Sequence, residues 1–274
     1  MSMLMDGGSS TSQGLIRTTP EGTMPPNAGG GSLIRGRSRT STLVVPTLNE
    51  AKNLPHVLPL IPASVDEVIL VDGRSTDDTI AIAREIRPDI KIVIEQRAGK
   101  GWALNAGFNA STCDDIVMID ADGSMDPGEI DIFLAAIDNG ADCVKGSRYV
   151  SGGGSSDLTR IRSHGNKSIT MLVNMFYGSR YSDLCYGYIA FRRDVLGVID
   201  PQCAGFEVET LMNIRARRAR LDIAEVPSME SERLFGESHL SAWRDGIRIA
   251  KVIARERVRA KPQDVRVASM ATVG

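Results

Sequence analysis

The chain has 274 residues, of which 42% are hydrophobic and 24% charged, and its formal net charge is -2. That length allows one large α/β domain or two small ones, and that charge gives no global reason to expect a nucleic-acid partner. Cys113, Cys143, Cys185 and Cys203 match no zinc or redox spacing and read as reduced thiols of a cytoplasmic protein, and with no signal peptide and no apolar run of bilayer length the expectation is a soluble chain that at most touches the inner face of a membrane.

Residues 1–40 are rich in Gly, Ser, Thr, Pro and Arg without a hydrophobic period, so they predict a disordered N-terminal arm. Arg35, Arg37 and Arg39 read as part of a solvated tail, with anionic lipid or another subunit as the other contacts open to them. Order begins at Thr42-Leu43-Val44-Val45, a strand that Pro46 should end, and Asn49 is placed to cap a following helix. Val65 to Val71 forms a second strand leading into Asp72. Ser75 or Thr76 then caps a helix through Ile80, Ala83 and Ile86, which Pro88 stops. Lys91 to Glu95 is a third strand. A basic turn, Arg97-Ala98-Gly99-Lys100-Gly101, precedes a helix carrying Trp102, Leu104 and Phe108.

The next apolar run, Ile116 to Ile119, is β-branched-rich, reads as a buried strand, and ends in Asp120-Ala121-Asp122. Strand alternation places the two aspartates on the same side. Carboxylates that close repel unless a cation or proton compensates, and Mg2+ or Mn2+ with substrate phosphates is a usual solution. An Asp-rich turn is the plainer alternative.

A helix from Pro127 to Asn139, a strand from Asp142 to Tyr149 and a Gly-rich loop, Ser151 to Ser156, come next; the loop suits a lid or a contact in a homo-oligomer. Arg160 to Tyr177 is an amphipathic helix whose apolar positions are Ile161, Ile169, Leu172, Val173 and Phe176. Asp183 to Phe191 mixes aromatics with glycine, as a pocket wall does. A helix from Phe206 to Arg218, a strand from Ile223 to Pro227, a loop from Arg233 to Leu240 and a long helix from Ala242 to Arg259 complete the ordered chain. Arg215, Arg217, Arg218 and Arg220 read as a solvated face that compensates a helix dipole, with a membrane-facing patch as the alternative. Ile247, Ala250 and Ile253 read as core-facing.

The alternation of strands and helices predicts an α/β fold with a mostly parallel central sheet flanked by helices. Ligands of such sheets bind beyond the carboxyl ends of the strands. Asn49-Glu50, Asp72, and Asp120 with Asp122 follow three such ends and should meet along one edge.

These motifs stand in the order Pro46-Thr47-Leu48-Asn49-Glu50, Val71-Asp72, Gly99-Lys100-Gly101, Asp120-Ala121-Asp122, Gly146-Ser147-Arg148-Tyr149, Gly205-Phe206-Glu207, Glu225-Val226-Pro227 and Gly236-Glu237-Ser238. The series resembles the family 2 glycosyltransferases, most of all the dolichyl- or polyprenyl-phosphate mannosyltransferases, from about Leu43 to Arg257. The resemblance implies a single GT-A domain over 41–260, Rossmann-like, followed by a flexible tail over 261–274. It implies that Pro46, Asn49 and Glu50 contact the nucleoside, that Asp72 binds base or ribose, and that Gly101 with Gly99 lets backbone approach the nucleotide while Lys100 counters phosphate charge. Asp120 and Asp122 would hold Mg2+ or Mn2+. Arg148 would lie by the diphosphate or acceptor. Asp183 would orient or deprotonate the acceptor, with Glu207 and Glu209 as rival bases. Arg233 and Ser238 would close over the donor phosphates or hold an acceptor phosphate.

The series also departs from the family. Gly73 stands where a second aspartate is usual, Ser124 where a metal-binding glutamine is frequent, Tyr186-Gly187-Tyr188-Ile189 where an arginine-bearing segment is usual, and His239 where a lysine follows Gly-Glu-Ser. These departures remove two cationic groups that could hold an acceptor phosphate, while the resemblance as a whole implies inverting, metal-dependent transfer of a hexose from a GDP- or UDP-sugar to a polyprenyl phosphate. Two further readings stand beside it: the same transfer onto a soluble hydroxyl acceptor, such as a secondary metabolite or glycan, and a relative that binds a nucleotide sugar without transferring it.

Overall fold

The structure is a computed structural model that describes residues 37–236 and 242–259. The arm up to residue 36, the tail from residue 260, and Ser238 with His239 lie outside the described residues. In chain order the elements are β1 (Ser41–Thr47), α1 (Leu54–Val57), β2 (Glu67–Asp72), α2 (Thr79–Ile86), β3 (Lys91–Ile94), α3 (Lys100–Ala110) and β4 (Asp115–Met118). Next come α4 (Ile130–Asp138), β5 (Cys143–Ser147), β6 (Gly154–Ser155), α5 (Arg160–Tyr177) and β7 (Ile189–Arg192). The chain continues through α6 (Leu196–Ile199), α7 (Val208–Arg218), β8 (Ile223–Pro227), β9 (Met229–Glu230) and α8 (Ala242–Val258).

The main sheet has the order β3-β2-β1-β4-β7-β5-β8. Its strands run parallel except β7, which pairs antiparallel with both β4 and β5. Alternation along β1 sends Leu43 and Val45 to one face and Val44 to the other, and these residues belong to two separate apolar cores. Burial on both faces explains why β1, β2 and β4 read as nearly continuous apolar runs. On one face α3 packs close over the sheet. A Cβ on Gly107 would stand 2.4 Å from a methyl of Val44 and 2.8 Å from one of Val71.

Several local expectations need correction. Pro46 does not end β1. It pairs with Val71 in the part of β1 that extends beyond the last β4 pair, Val44 with Met118, so β4 makes no ladder pair there and loses nothing from the missing N–H. Asn49 caps no helix. It sits at φ 60°, and its side-chain oxygen accepts from Thr76 N at 2.8 Å while its own N–H donates to Ser75 Oγ at 2.8 Å. These bonds tie the loop after β1 to the loop after β2. The start of α2 is held by Asp77, whose Oδ1 accepts from Thr79 N at 3.1 Å.

The end of the arm belongs to the fold. Arg37 and Arg39 both bind Asp115, a carboxylate with no exposed surface at the start of β4, and Arg37 also reaches Asp138 at 2.8 Å. A buried carboxylate without partners would be costly, which accounts for two arginines on one aspartate.

The arginine cluster at the end of α7 is not a solvated face. Arg215 pairs with Glu256 at 3.0 Å and Asp200 at 2.8 Å, Arg218 with Glu256 at 2.9 Å, and Arg217 donates to the Gly178 carbonyl at 2.8 Å. Glu256 is fully buried, so this cluster clasps α8 against α7. On α8 the inward residues are Ile249, Val252 and Ile253, whereas Ile247 and Ala250 face outward. No described helix is long and apolar enough to cross a membrane.

Candidate active site

The carboxyl ends of β1, β2 and β4 gather the polar clusters at one edge of the sheet, as strand direction requires. Past the end of β4 opens a cavity of about 520 Å³. Asp120, Asp122, Lys100 and Arg233 line one part of its wall, and Arg148, Tyr186 and Asn166 line another.

The acidic pair reaches this cavity. Asp120 pairs with Lys100 at 2.6 Å, and Lys100 also binds Glu209 at 2.8 Å. Burial works against the Lys100 ammonium, but Asp120 and Glu209 outweigh it and raise its pKa above the ordinary lysine value. Asp122 is buried, pairs with Arg233 at 2.7 Å and accepts from Ser124 N at 3.0 Å. Glu50 senses the same concentration of charge. Burial raises its carboxyl pKa, and the charges of Asp122 and Asp120 push it the same way.

The stretch from Met229 to Gly236 lies along this pair like a flap. Ser231 N donates to the Ser124 carbonyl at 2.8 Å and Leu234 N to the Asp122 carbonyl at 3.1 Å. Two ion pairs hold it: Arg233 with Asp122, and Glu230 with Arg148 at 2.9 Å.

Arg148 is nearly buried and grips Asp183 with two parallel bonds, Nε to Oδ2 at 2.7 Å and Nη2 to Oδ1 at 2.9 Å. Its guanidinium also stacks on Tyr186, 4.8 Å from the ring centre. Asn166 donates to Asp183 at 2.8 Å from α5. Burial opposes ionisation of Asp183, yet the Arg148 bonds and the nearby Lys145 charge hold its pKa below the ordinary aspartate value.

Asp183 is therefore corrected as a base. It has no exposed surface, does not line the cavity, and is held ionised by its partners. It can act on a substrate through Arg148. Glu207 is also off the cavity wall. One oxygen accepts from Gly205 N at 3.1 Å and the other finds no partner among the described residues. Glu209, its rival, does face the cavity.

The glycines beside Lys100 meet protein backbone. Gly99 has φ 125°, and a Cβ there would lie 1.9 Å from the Ala204 carbonyl oxygen. A Cβ on Gly101 would lie 2.3 Å from the Cys203 carbonyl oxygen. The expectation that Gly101 clears space for a nucleotide is thus replaced by close packing of the α3 start on the 203–204 segment.

Pro46, Asn49, Glu50 and Asp72 stand off this cavity, at the ends of β1 and β2. Asp72 is buried. Its Oδ2 accepts from Arg74 N and Ser75 N at 3.0 Å each, while its Oδ1 has no partner among the described residues. That oxygen is itself buried, so the expected contact with base or ribose has no open surface at Asp72.

Sequence reasoning missed Glu230, Asn166 and Arg162, which also face the cavity. Arg162 and Asn166 stand four apart on α5, on the polar side of an amphipathic helix, and that spacing was a usable signal. Nothing local marks Glu230.

Among the described residues no three metal-ligating side chains converge. Asp120 and Asp122 nevertheless suit a Mg2+ or Mn2+ completed by substrate oxygens. Among the described residues lining the cavity, carboxylates outnumber cationic side chains seven to four, a balance that favours a further positive charge beside an incoming diphosphate.

The family model described as Glycosyl transferase family 2 matches residues 42–199. An uncharacterized glycosyltransferase of Mycobacterium tuberculosis is 35% identical over 212 residues, covering 76% of this chain and 93% of the relative. Polyprenol monophosphomannose synthase of Mycolicibacterium smegmatis is 34% identical over 226 residues, covering 76% of this chain and 83% of the relative. Among solved structures, glucosyl-3-phosphoglycerate synthase of Mycobacterium tuberculosis, in complex with Mn2+, UDP and phosphoglyceric acid, superposes with a TM-score of 0.64 at 22% identity, over 82% of this chain and 80% of that one. The expected GT-A architecture, a mostly parallel sheet flanked by helices, is the one observed.

Proposed function

The chain belongs to glycosyltransferase family 2, and from that premise we propose that it moves a hexose, with inversion, from a GDP- or UDP-sugar to a polyprenyl phosphate. The observation that carries the acceptor is the continuity of two spaces. Ile169, Gly246 and Ile249 line both the cavity of the acidic pair and an adjoining apolar groove of about 450 Å³ between α5 and α8. A phosphate in the cavity and an isoprenoid chain in the groove match that division of polarity. The polyprenol-directed relative at 34% identity supports the same reading.

In this account the acceptor phosphate oxygen attacks the anomeric carbon as the bond to the donor diphosphate breaks, and the nucleoside diphosphate leaves. A phosphate monoester is already anionic near neutral pH, so no base is needed, which suits a sealed Asp183. Asp120 and Asp122 would hold Mg2+ or Mn2+, which supplies neutralisation of charge on the leaving diphosphate. Lys100 and Arg233 stand beside that charge. Asp72 shapes the loop after β2 by accepting from Arg74 N and Ser75 N. Asp183 fixes the Arg148 fork, and Arg148 orients the acceptor.

One observation favours a hydroxyl acceptor instead. Arg148 is shared between Asp183 and Glu230, and Arg162 pairs with Asp157 at 2.9 Å, so the acceptor side has little cationic charge to spare. Glu209 would then be the cavity carboxylate to test as base. The assay is transfer of labelled hexose from each nucleotide sugar with Mn2+, onto a water-soluble short-chain polyprenyl phosphate or onto hydroxyl acceptors. Label moving into the organic phase with polyprenyl phosphate is the expected result. Transfer to hydroxyl acceptors alone overturns the lipid reading, and tight donor binding with no transfer to any acceptor favours the binding-only relative.

A further inference from the structure

We propose that the face formed by α5 and α8 docks on the surface of an anionic phospholipid bilayer. Helix α5 is inverted with respect to the core: its buried positions are Asn166, Thr170 and Val173, two of them polar. Outward stand Ile161, 82% exposed, and Met171 and Met175, each 65% exposed. Such a strip would ordinarily be covered.

The charges around it have one sign. The segment from Arg160 to Tyr177 contains no Asp or Glu. On α8 the only acids, Asp245 and Glu256, are buried, so every exposed charged side chain described there is cationic. This local bias occurs in a chain whose formal net charge is -2. At 3.6 residues per turn, Arg160 and Lys167 flank the apolar strip of α5 on the side away from the groove. On α8, Ile247 and Val258 lie beyond the groove, followed by Lys251 and Arg244. The surface thus runs from cations through a mainly apolar band, in which Arg257 at the groove is the one charged lining residue described, to cations again, the layout of helices lying in a membrane interface. A second copy fits less well, because a twofold contact through this face would set cations against cations.

The inference extends the lipid-acceptor reading but is tested apart from it, with vesicles that contain no polyprenyl phosphate. The full chain is sedimented with phosphatidylcholine vesicles with and without phosphatidylglycerol. Binding to the anionic vesicles should exceed binding to the neutral ones by about tenfold or more and weaken with added salt. The double variant Met171→Glu/Met175→Glu should lose about tenfold or more of that binding, and Lys251→Glu a smaller part. Both variants should keep the wild-type thermal shift with a nucleoside diphosphate, which shows that they fold. Absence of vesicle binding, or equal binding by wild type and the double variant, overturns the proposal. A concentration-dependent dimer that the double variant dissolves, without vesicle binding, assigns the face to a second copy. Vesicle binding without transfer to soluble polyprenyl phosphate would leave the docking face standing and remove the acceptor reading.

Discussion

Replacing Asp122 by asparagine should lower kcat/KM about a thousandfold, the effect of removing roughly 4 kcal/mol of transition-state stabilisation. The side chain keeps its shape but loses the charge that faces the cavity. A divalent cation would then have one carboxylate in place of two, and the leaving diphosphate would develop its charge with less compensation. Stability should change little by comparison. The Arg233 partner is about a quarter exposed, so water can take over when the pair is broken. Arg233→Gln is the informative companion. It leaves both carboxylates in place, so it should raise KM for the donor more than it lowers kcat. Steady-state kinetics with saturating Mn2+, set beside thermal melts, measure both. An Asp122→Asn enzyme within tenfold of wild type would remove this residue from the chemistry.

The second large effect concerns stability. Asp183→Ala should cost about 3–5 kcal/mol, because it leaves Arg148 buried and stripped of its bidentate partner. Lys145, buried nearby, loses a compensating negative charge as well. The acid dependence follows from the direction of the Asp183 shift. Its folded pKa lies below the unfolded one, so the stabilisation is complete above the ordinary aspartate value of about 3.9 and is lost as pH falls toward the folded value. Urea unfolding at neutral and at acid pH should therefore show a gap between wild type and Asp183→Asn that narrows in acid. A gap independent of pH would mean that the Asp183 charge does not contribute. Activity should fall with stability, since Arg148 relies on this carboxylate for its orientation.

The strands, most helices and the placement of the acidic pair were legible because each rests on local rules. Runs such as Val68 to Val71 are buried on both faces, and a carboxylate just past the end of a parallel strand has few places to go but the ligand edge. What was not legible depends on partners distant in sequence. Nothing near Asp183 shows that Arg148 will enclose it, and nothing near Glu207 distinguishes it from Glu209, though the two point to different places. The arginines ending α7 looked solvated because their partner, Glu256, lies on another helix. Strand β7 is short and antiparallel within a parallel pattern, so alternation of strand and helix gave no cue for it. On α5 the period was legible and the covered side was not: amphipathicity shows that a helix has two faces, while the surrounding fold decides which one is covered.

In the proposed mechanism Asp120 and Asp122 hold a divalent cation against the donor diphosphate. Calorimetric titration of UDP and GDP into the protein, with and without Mn2+, tests it most directly. For the correct nucleotide, Mn2+ should tighten binding by about tenfold or more, at least about 1.4 kcal/mol, and Asp122→Asn should abolish that gain. Equal affinity with and without Mn2+, or an undiminished gain in Asp122→Asn, would contradict the account.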